Sequence, residues 1–192
     1  PESWPGLAAL LAETKGDPSI RVAILDGVLA LQHAALRGAD LTRLPTLVNG
    51  APDPESPMCG HGTHVTSVIF GRAEGGVSGI SPNCRGLIIP IFPNHHRGPV
   101  PQLDVARGIE LALDAGAHVI NISGGQPVSP GGTDPMLTRA VRRCEQQGAL
   151  LIAAAGNDAG QILHAPAAVP TTLAVGALGL DGRPLAMSNW GA

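Results

Sequence analysis

An α/β fold built on a mainly parallel sheet is what this 192-residue sequence predicts, on three observations. Short β-branched runs alternate with longer amphipathic segments, the pattern of strands joined by crossover helices. The strand runs end in small or polar residues, as at Asp26-Gly27, Ser123-Gly124-Gly125 and Gly156-Asn157, which is where open parallel sheets place their loops. The hydrophobic share of 44% and charged share of 14% are those of a globular protein, so 26 glycines and 18 prolines read as turns rather than disorder.

The elements follow in order. Pro5 opens a segment, Gly6 to Thr14, with Leu7, Leu10 and Leu11 at helical spacing, and Gly16-Asp17-Pro18 ends it. Arg21 to Leu25 reads as a buried strand ending at Asp26-Gly27, followed by a polar, proline-containing stretch to about Gly60. Gly62 to Phe70 sets Val65, Val68 and Ile69 on one helical stripe, with His61 at the helix start, and Leu87 to Phe92 is a strand. Gln102 to Ala115 is helical through Val105, Ile109, Leu111 and Leu113, and Val119 to Ile122 is a strand leaving through Ser123-Gly124-Gly125. Thr133 caps a helix to Gln147, which Gly148 stops; Leu150 to Ala155 is a buried strand, and Leu173 to Ala177 is the last. Ligands of an open parallel sheet sit outside the carboxyl ends of the strands, where Asp26, Ser123, Asn157 and the start of the His61 helix converge.

The length fits one domain, 1–192. A net charge of -3 and a single lysine, Lys15, provide no basic stripe, which argues against nucleic acid and against an anionic membrane as partners. Cys59, Cys84 and Cys144 are odd in number and lack CxxC spacing, which argues against a disulfide framework or zinc ribbon and for a reducing compartment. No apolar run reaches about 18 residues and no signal-like N-terminus is present, so a soluble, cytoplasmic location is expected. A start at Pro1 without methionine and a stop at Ala192 read as a piece of something longer.

Asp26 ends an apolar strand, where a carboxylate must be paired or hydrogen-bonded. By position alone it is equally an aspartate capping the Asp26-Gly27 turn. His61 offers the partner that a catalytic reading needs: a carboxylate on one imidazole nitrogen leaves the other free as a general base. Taken alone, His61 is more often a surface or structural histidine than a catalytic one, and Asn157 more often a turn residue. Cys59, His61 and His64 do not make a metal site, because the histidines stand at i, i+3 with no glutamate between them and no further ligand evident. Cys59 lies two residues from His61, so its thiol is expected near the cleft and open to mercurials. His95-His96 reads as part of a solvated loop, and Gly75-Gly76-Val77-Ser78-Gly79 as a turn, since it follows no strand and lacks a Gly-Lys-Ser/Thr ending.

Ile24-Leu25-Asp26-Gly27, Gly60-His61-Gly62-Thr63-His64-Val65 and Ala153-Ala154-Ala155-Gly156-Asn157-Asp158 together closely resemble, in order, three signatures of the subtilisin family of serine proteases. The resemblance implies a three-layer α/β/α fold; no cofactor and no metal site is expected from these residues. It gives Asp26 the orienting role, His61 that of general base and acid, and the Asn157 amide that of oxyanion donor, while His64 would be structural. Val119 to Gly125 resembles the family's substrate-pairing strand, so Ser123, Gly124 and Gly125 would line the cleft; an ordinary strand leaving through a glycine turn explains the composition as well.

The family's nucleophile sits in a Gly-Thr-Ser motif beyond the segment that Met187-Ser188-Asn189-Trp190-Gly191 resembles. None of Ser56, Ser67, Ser78, Ser81, Ser123, Ser129 or Ser188 has that context. The serine-bearing helix is therefore expected to be missing and the 192 residues alone inactive. Their partner would be the missing C-terminal segment, with Val65, Val119 and Leu173 exposing apolar surface in its absence.

Further stretches look like the subtilases of cyanobactin maturation: Gly16-Asp17-Pro18 to Leu25-Asp26-Gly27, Gly38-Ala39-Asp40-Leu41-Thr42-Arg43-Leu44-Pro45-Thr46-Leu47-Val48, Cys84-Arg85-Gly86-Leu87-Ile88-Ile89-Pro90-Ile91-Phe92 and Ile120-Asn121-Ile122-Ser123-Gly124-Gly125-Gln126. That group has a protease that cuts a ribosomal precursor peptide and a macrocyclase with an extra helical insertion between its aspartate and histidine. With 34 residues between Asp26 and His61 there is little room for that insertion. A serine endopeptidase acting on a precursor peptide is expected, ahead of a transpeptidase or an inactive peptide-binding relative; a nucleotide-binding domain would lack its phosphate loop.

Overall fold

Arg-Val-Ala-Ile-Leu-Asp-Gly forms β1 (Arg21–Gly27), an inner strand of a six-stranded parallel sheet. The structure is a computed structural model and describes residues 6–191 except 47, 97 and 129–131. Pro5, Leu47 and Ser129, named above, lie outside the described residues. α1 (Leu7–Glu13) precedes β1; β2 (Leu41–Arg43), α2 (Pro57–Phe70), β3 (Arg85–Phe92), α3 (Gln102–Asp114) and β4 (Val119–Ile122) follow it. β5 (Gln126–Pro127), α4 (Pro135–Gln147), β6 (Leu150–Ala154), β7 (His164–Ala165) and β8 (Leu173–Val175) complete the order. The sheet runs β2-β3-β1-β4-β6-β8, and β5 and β7 pair separately as a short antiparallel ribbon.

Strand alternation builds the layers. On β1, Ala23 and Leu25 join Ile89 and Ile91 of β3 and Ile120 and Ile122 of β4 in one core, with Ile109 of α3 and Leu137 and Val141 of α4. Val22 and Ile24 point the other way, with Ile88, into a second core closed by Phe70 of α2. Both faces of the middle strands are therefore dry, which is why those strands read as continuous apolar runs. Ile24, Leu25, Ile88, Ile89 and Ile120 are each under 2% exposed, and burying each side chain stabilises the fold by about 1.5–3 kcal/mol.

Helix boundaries depart from the sequence reading where a proline follows a cap. α2 begins at Pro57, with the Ser56 hydroxyl accepting from the Cys59 N–H at 3.3 Å, so His61 lies in the second turn and not at the helix start. α4 is capped by Asp134, whose carboxylate accepts from the Met136 N–H at 2.7 Å, and not by Thr133. Gly148 does end α4, at φ 69. β2, β5 and β7 formed no part of the sequence reading, and β8 stops at Val175, short of Ala177. Leu173 and Val175 are about half exposed, whereas Val65 and Val119 pack against the second core.

Two glycines let α2 approach the end of β1. A Cβ on Gly27 would run into the Met58 carbonyl, and one on Gly62 would lie 3.2 Å from both the Asp26 Oδ1 and the Gly27 carbonyl. Gly60, on the exposed face of the same helix, has open space around it. Gly27→Ala should therefore destabilise the protein by about 1–3 kcal/mol in a urea titration. Gly60→Ala should stabilise it by about 0.5–1 kcal/mol, because only a helix-interior glycine's entropy is at stake there.

Candidate active site

Asp26 sits where the pairing of β1 with β3 slips by a residue, between Asp26↔Pro90 and Gly27↔Phe92. Its side chain is 1% exposed, and such a carboxylate holds its charge only with partners. Oδ1 accepts from the Gly27 N–H at 2.7 Å and faces the His61 Nδ1 at 2.8 Å; Oδ2 is buried with no hydrogen-bond partner among the described residues. A carboxylate at Nδ1 keeps the imidazole proton there and leaves the Nε2 lone pair free. The His61 side chain is 42% exposed, so that lone pair belongs to the open side of the pair. The hydrogen bond to Asp26 raises the His61 pKa above the ordinary 6.5; burial opposes it and the carboxylate's charge adds to it.

His61 opens on a groove of about 250 Å³. Met58 of α2 shares its wall with His61, Phe92 ends β3 and His96 follows it, and Ser123, Gly124 and Gly125 follow β4. His61 and the 123–125 segment, picked out separately from the sequence, thus meet at one place. The glycines of that segment also serve packing: a Cβ on Gly124 would lie 2.8 Å from the Phe92 ring, and one on Gly125 would lie 2.8 Å from the Ala165 carbonyl. His96 departs from the solvated-loop expectation, since its ring packs on Phe92 at 5.5 Å between centroids and lines the groove. No local pattern in the sequence marks that contact. Beyond His96 and Val100 a larger hollow of about 1040 Å³, walled largely by prolines and aliphatic side chains, runs between the loop after β2 and α3.

Asn157 is exposed on the loop after β6 and does not line the 250 Å³ groove. The loop bends at Gly156, φ 113, and Ala159, φ 54. Asp158 ion-pairs with His164, and Asn189 binds the loop from within; those two contacts, the Asn189 one the larger, hold the Asp158 pKa below the usual carboxylate range. Asp158, His164 and Asn189 were not singled out from sequence, though Asn189 lies in the Met187–Gly191 motif. Ser123 hydrogen-bonds Asn121, accepting from its Nδ2 at 2.8 Å, and among the described residues no serine hydrogen-bonds His61. Cys59 corrects the expectation of a thiol at the cleft: it is 2% exposed and packed inside α2. Among the described residues no three His, Cys, Asp or Glu side chains gather as metal ligands, and no helix is long and apolar enough to cross a membrane.

Comparison with known proteins bears on this arrangement. The sequence model of the Peptidase S8 subtilase family matches residues 17–191. Subtilisin BL of Lederbergia lenta is 31% identical over 175 residues, covering 90% of this chain and 61% of that protein. The alkaline protease of Alkalihalobacillus alcalophilus is 32% identical over 175 residues, covering 90% of this chain and 43% of that protein. The chain thus spans about half the length of these relatives. Among solved structures, a variant of the PatA protease domain is 54% identical with a TM-score of 0.88, covering 92% of this chain and 64% of that one. The prenylagaramide maturation protease PagA is 48% identical with a TM-score of 0.88, covering 98% and 64%. The PatG macrocyclase in complex with peptide is 29% identical with a TM-score of 0.84, covering 100% and 67%. The α/β fold is accordingly subtilisin-like.

The raised His61 pKa has a signed consequence. His61 gains a partner on folding, so its stabilisation is fully present below the unfolded value of 6.5 and is lost as pH rises through the higher folded value. An NMR titration of the His61 ring should give a midpoint above 6.5, and Asp26→Asn should bring it back toward or below that value. An unchanged midpoint in Asp26→Asn would mean that the 2.8 Å contact does not control the ring.

Proposed function

This chain belongs to the subtilase family, and from that premise we propose that it carries the acid–base and oxyanion groups of a serine endopeptidase that matures a ribosomal precursor peptide. The observation that carries the reading is the Asp26–His61 pair at 2.8 Å, open on a groove whose other wall is Ser123 to Gly125. An extended peptide lies along that wall, its backbone approaching where the side chains are smallest. The nucleophile is a serine supplied by the longer protein, in keeping with the absence of a serine bonded to His61 among the described residues.

His61 Nε2 takes the serine proton as Oγ attacks the scissile carbonyl, and Asp26 stabilises the imidazolium that forms. The carbonyl oxygen becomes an oxyanion, to which the Asn157 amide donates. His61 then returns the proton to the departing amine, which breaks the peptide bond and leaves an acyl-serine. Water, deprotonated by the same nitrogen, hydrolyses that ester and restores the site. PatA and PagA, the patellamide and prenylagaramide maturation proteases, support a maturation role, and a precursor peptide is the substrate this reading assigns. Between β1 and α2 the described residues form only a 3-10 turn, Ala34–Leu36, and the three-residue β2, which favours cleavage over the macrocyclase type with its extra helices.

In the longer protein, His61→Ala should lower kcat by about 10⁶ while leaving the Kd for a precursor peptide within a few-fold. Asn157→Ala should lower kcat by about 10²–10³, the magnitude known for the equivalent donor of a related subtilisin. Wild-type kcat/KM should fall on the acid side with a midpoint above 6.5, because only neutral His61 accepts a proton. Peptide cleavage by His61→Ala at the wild-type rate would remove the reading.

A further inference from the structure

We propose that Asn189 is a positioning residue for the oxyanion donor, holding the loop on either side of Asn157 so that its amide is fixed before charge develops. The inference rests on the role given to Asn157 above. Asn189 is 3% exposed, and every hydrogen bond of its side chain goes to one short stretch of chain. Its Oδ1 accepts from the Asp158 N–H at 2.8 Å and the Gly160 N–H at 3.2 Å. Its Nδ2 donates to the Ala155 carbonyl at 3.4 Å and to the Asp158 carboxylate at 3.3 Å. The contacts bracket Asn157: one lies on the strand side, three on the far side, and the Asn157 side chain makes no hydrogen bond among the described residues.

The backbone repeats the pattern. The Asn189 N–H donates to the Gly156 carbonyl at 2.9 Å, Ala159 N–H to the Met187 carbonyl at 3.0 Å, and Trp190 N–H to the Gly160 carbonyl at 3.1 Å. The Ser188 hydroxyl donates to the Asn189 carbonyl at 3.1 Å, anchoring the brace itself. Gly156 makes room for it, since a Cβ there would collide with the Asn189 amide and the His164 ring. A loop with two residues at positive φ has no helix or sheet ladder to hold its shape, so these bonds are its restraint. Only an amide both accepts from two N–H groups and donates toward two oxygens; an aspartate in its place would lose the donors and face the Asp158 carboxylate. A displacement of about 1 Å in a catalytic group costs about 10²-fold in rate, so this restraint is one the reaction would sense.

The test is a double-mutant cycle in the longer protein, with kcat, KM and thermal unfolding measured for each variant. Asn189→Ala should lower kcat by about 10-fold or more with KM within about 2-fold, and Asn189→Asp should not restore it. The decisive comparison is Asn157→Ala with and without Asn189→Ala: once the donor is gone, removing its brace should slow kcat by less than about 2-fold further. Should Asn189→Ala not fold, Asn189→Ser, which retains one acceptor and one donor, replaces it in the cycle. Losses that multiply, or wild-type kcat in a folded Asn189 variant, overturn the positioning role alone. Failure of both variants to fold makes Asn189 a folding residue and overturns it too. Wild-type kcat in Asn157→Ala overturns the oxyanion reading first, and this inference with it.

Discussion

The approach of α2 to the carboxyl end of β1 is the constraint on which the rest depends. Gly27 and Gly62 are the two surfaces that touch, and with any side chain at Gly27 the Met58 carbonyl must retreat. What the closeness achieves is a buried carboxylate with its partners already in place: a backbone N–H and an imidazole nitrogen, both on Oδ1. Removing a charge from water costs several kcal/mol unless such partners meet it. The strand, the helix and the ion pair are thus mutually dependent. Ser56 and Pro57 start the helix early enough for His61 to be reached one full turn in, where the backbone is fixed by hydrogen bonds and not left to fray.

Around that junction, glycines at the strand exits make room for neighbours. Gly124 faces the Phe92 ring, Gly125 the carbonyl of Ala165 in the β5/β7 ribbon, and Gly156 the amide of Asn189. Each of these close approaches ties a loop to a rigid element. The positioning is divided: the sheet and α2 hold the Asp26–His61 pair, while the 187–190 segment, far along the chain, holds the loop that bears Asn157. Gly124 and Gly125, on the wall proposed for the peptide, are thus also positions where the protein packs against itself.

Much of this was legible in the sequence, for identifiable reasons. β1, β3, β4 and β6 are inner strands of the sheet, so continuous apolar runs marked them. β2, β5 and β7 are two or three residues long and carry no periodicity to read. The start of α2 was misplaced because Gly60 and Gly62 are poor helix formers and Ser56-Pro57 also reads as a turn. Asp26, His61 and the 123–125 segment were picked out because their motifs resemble subtilisin signatures and because strand ends of a parallel sheet meet at one edge. His96 and Asn189 were not, because their importance lies in contacts with Phe92 and with residues 155–160 that no local pattern encodes.

Strand order has a further consequence for how the protein comes into being. β1 is made before both of its neighbours, β3 and β4, so Arg21 waits for Arg85 and Val22 for Val119. No hairpin can hold β1 meanwhile, since its parallel partners lie across long crossovers. Until they arrive, Ile24 and Leu25 are uncovered and Asp26 remains in water, at no desolvation cost. Full burial of the carboxylate therefore depends on strands made after β1, and an unpaired β1 is apolar chain of the kind that aggregates.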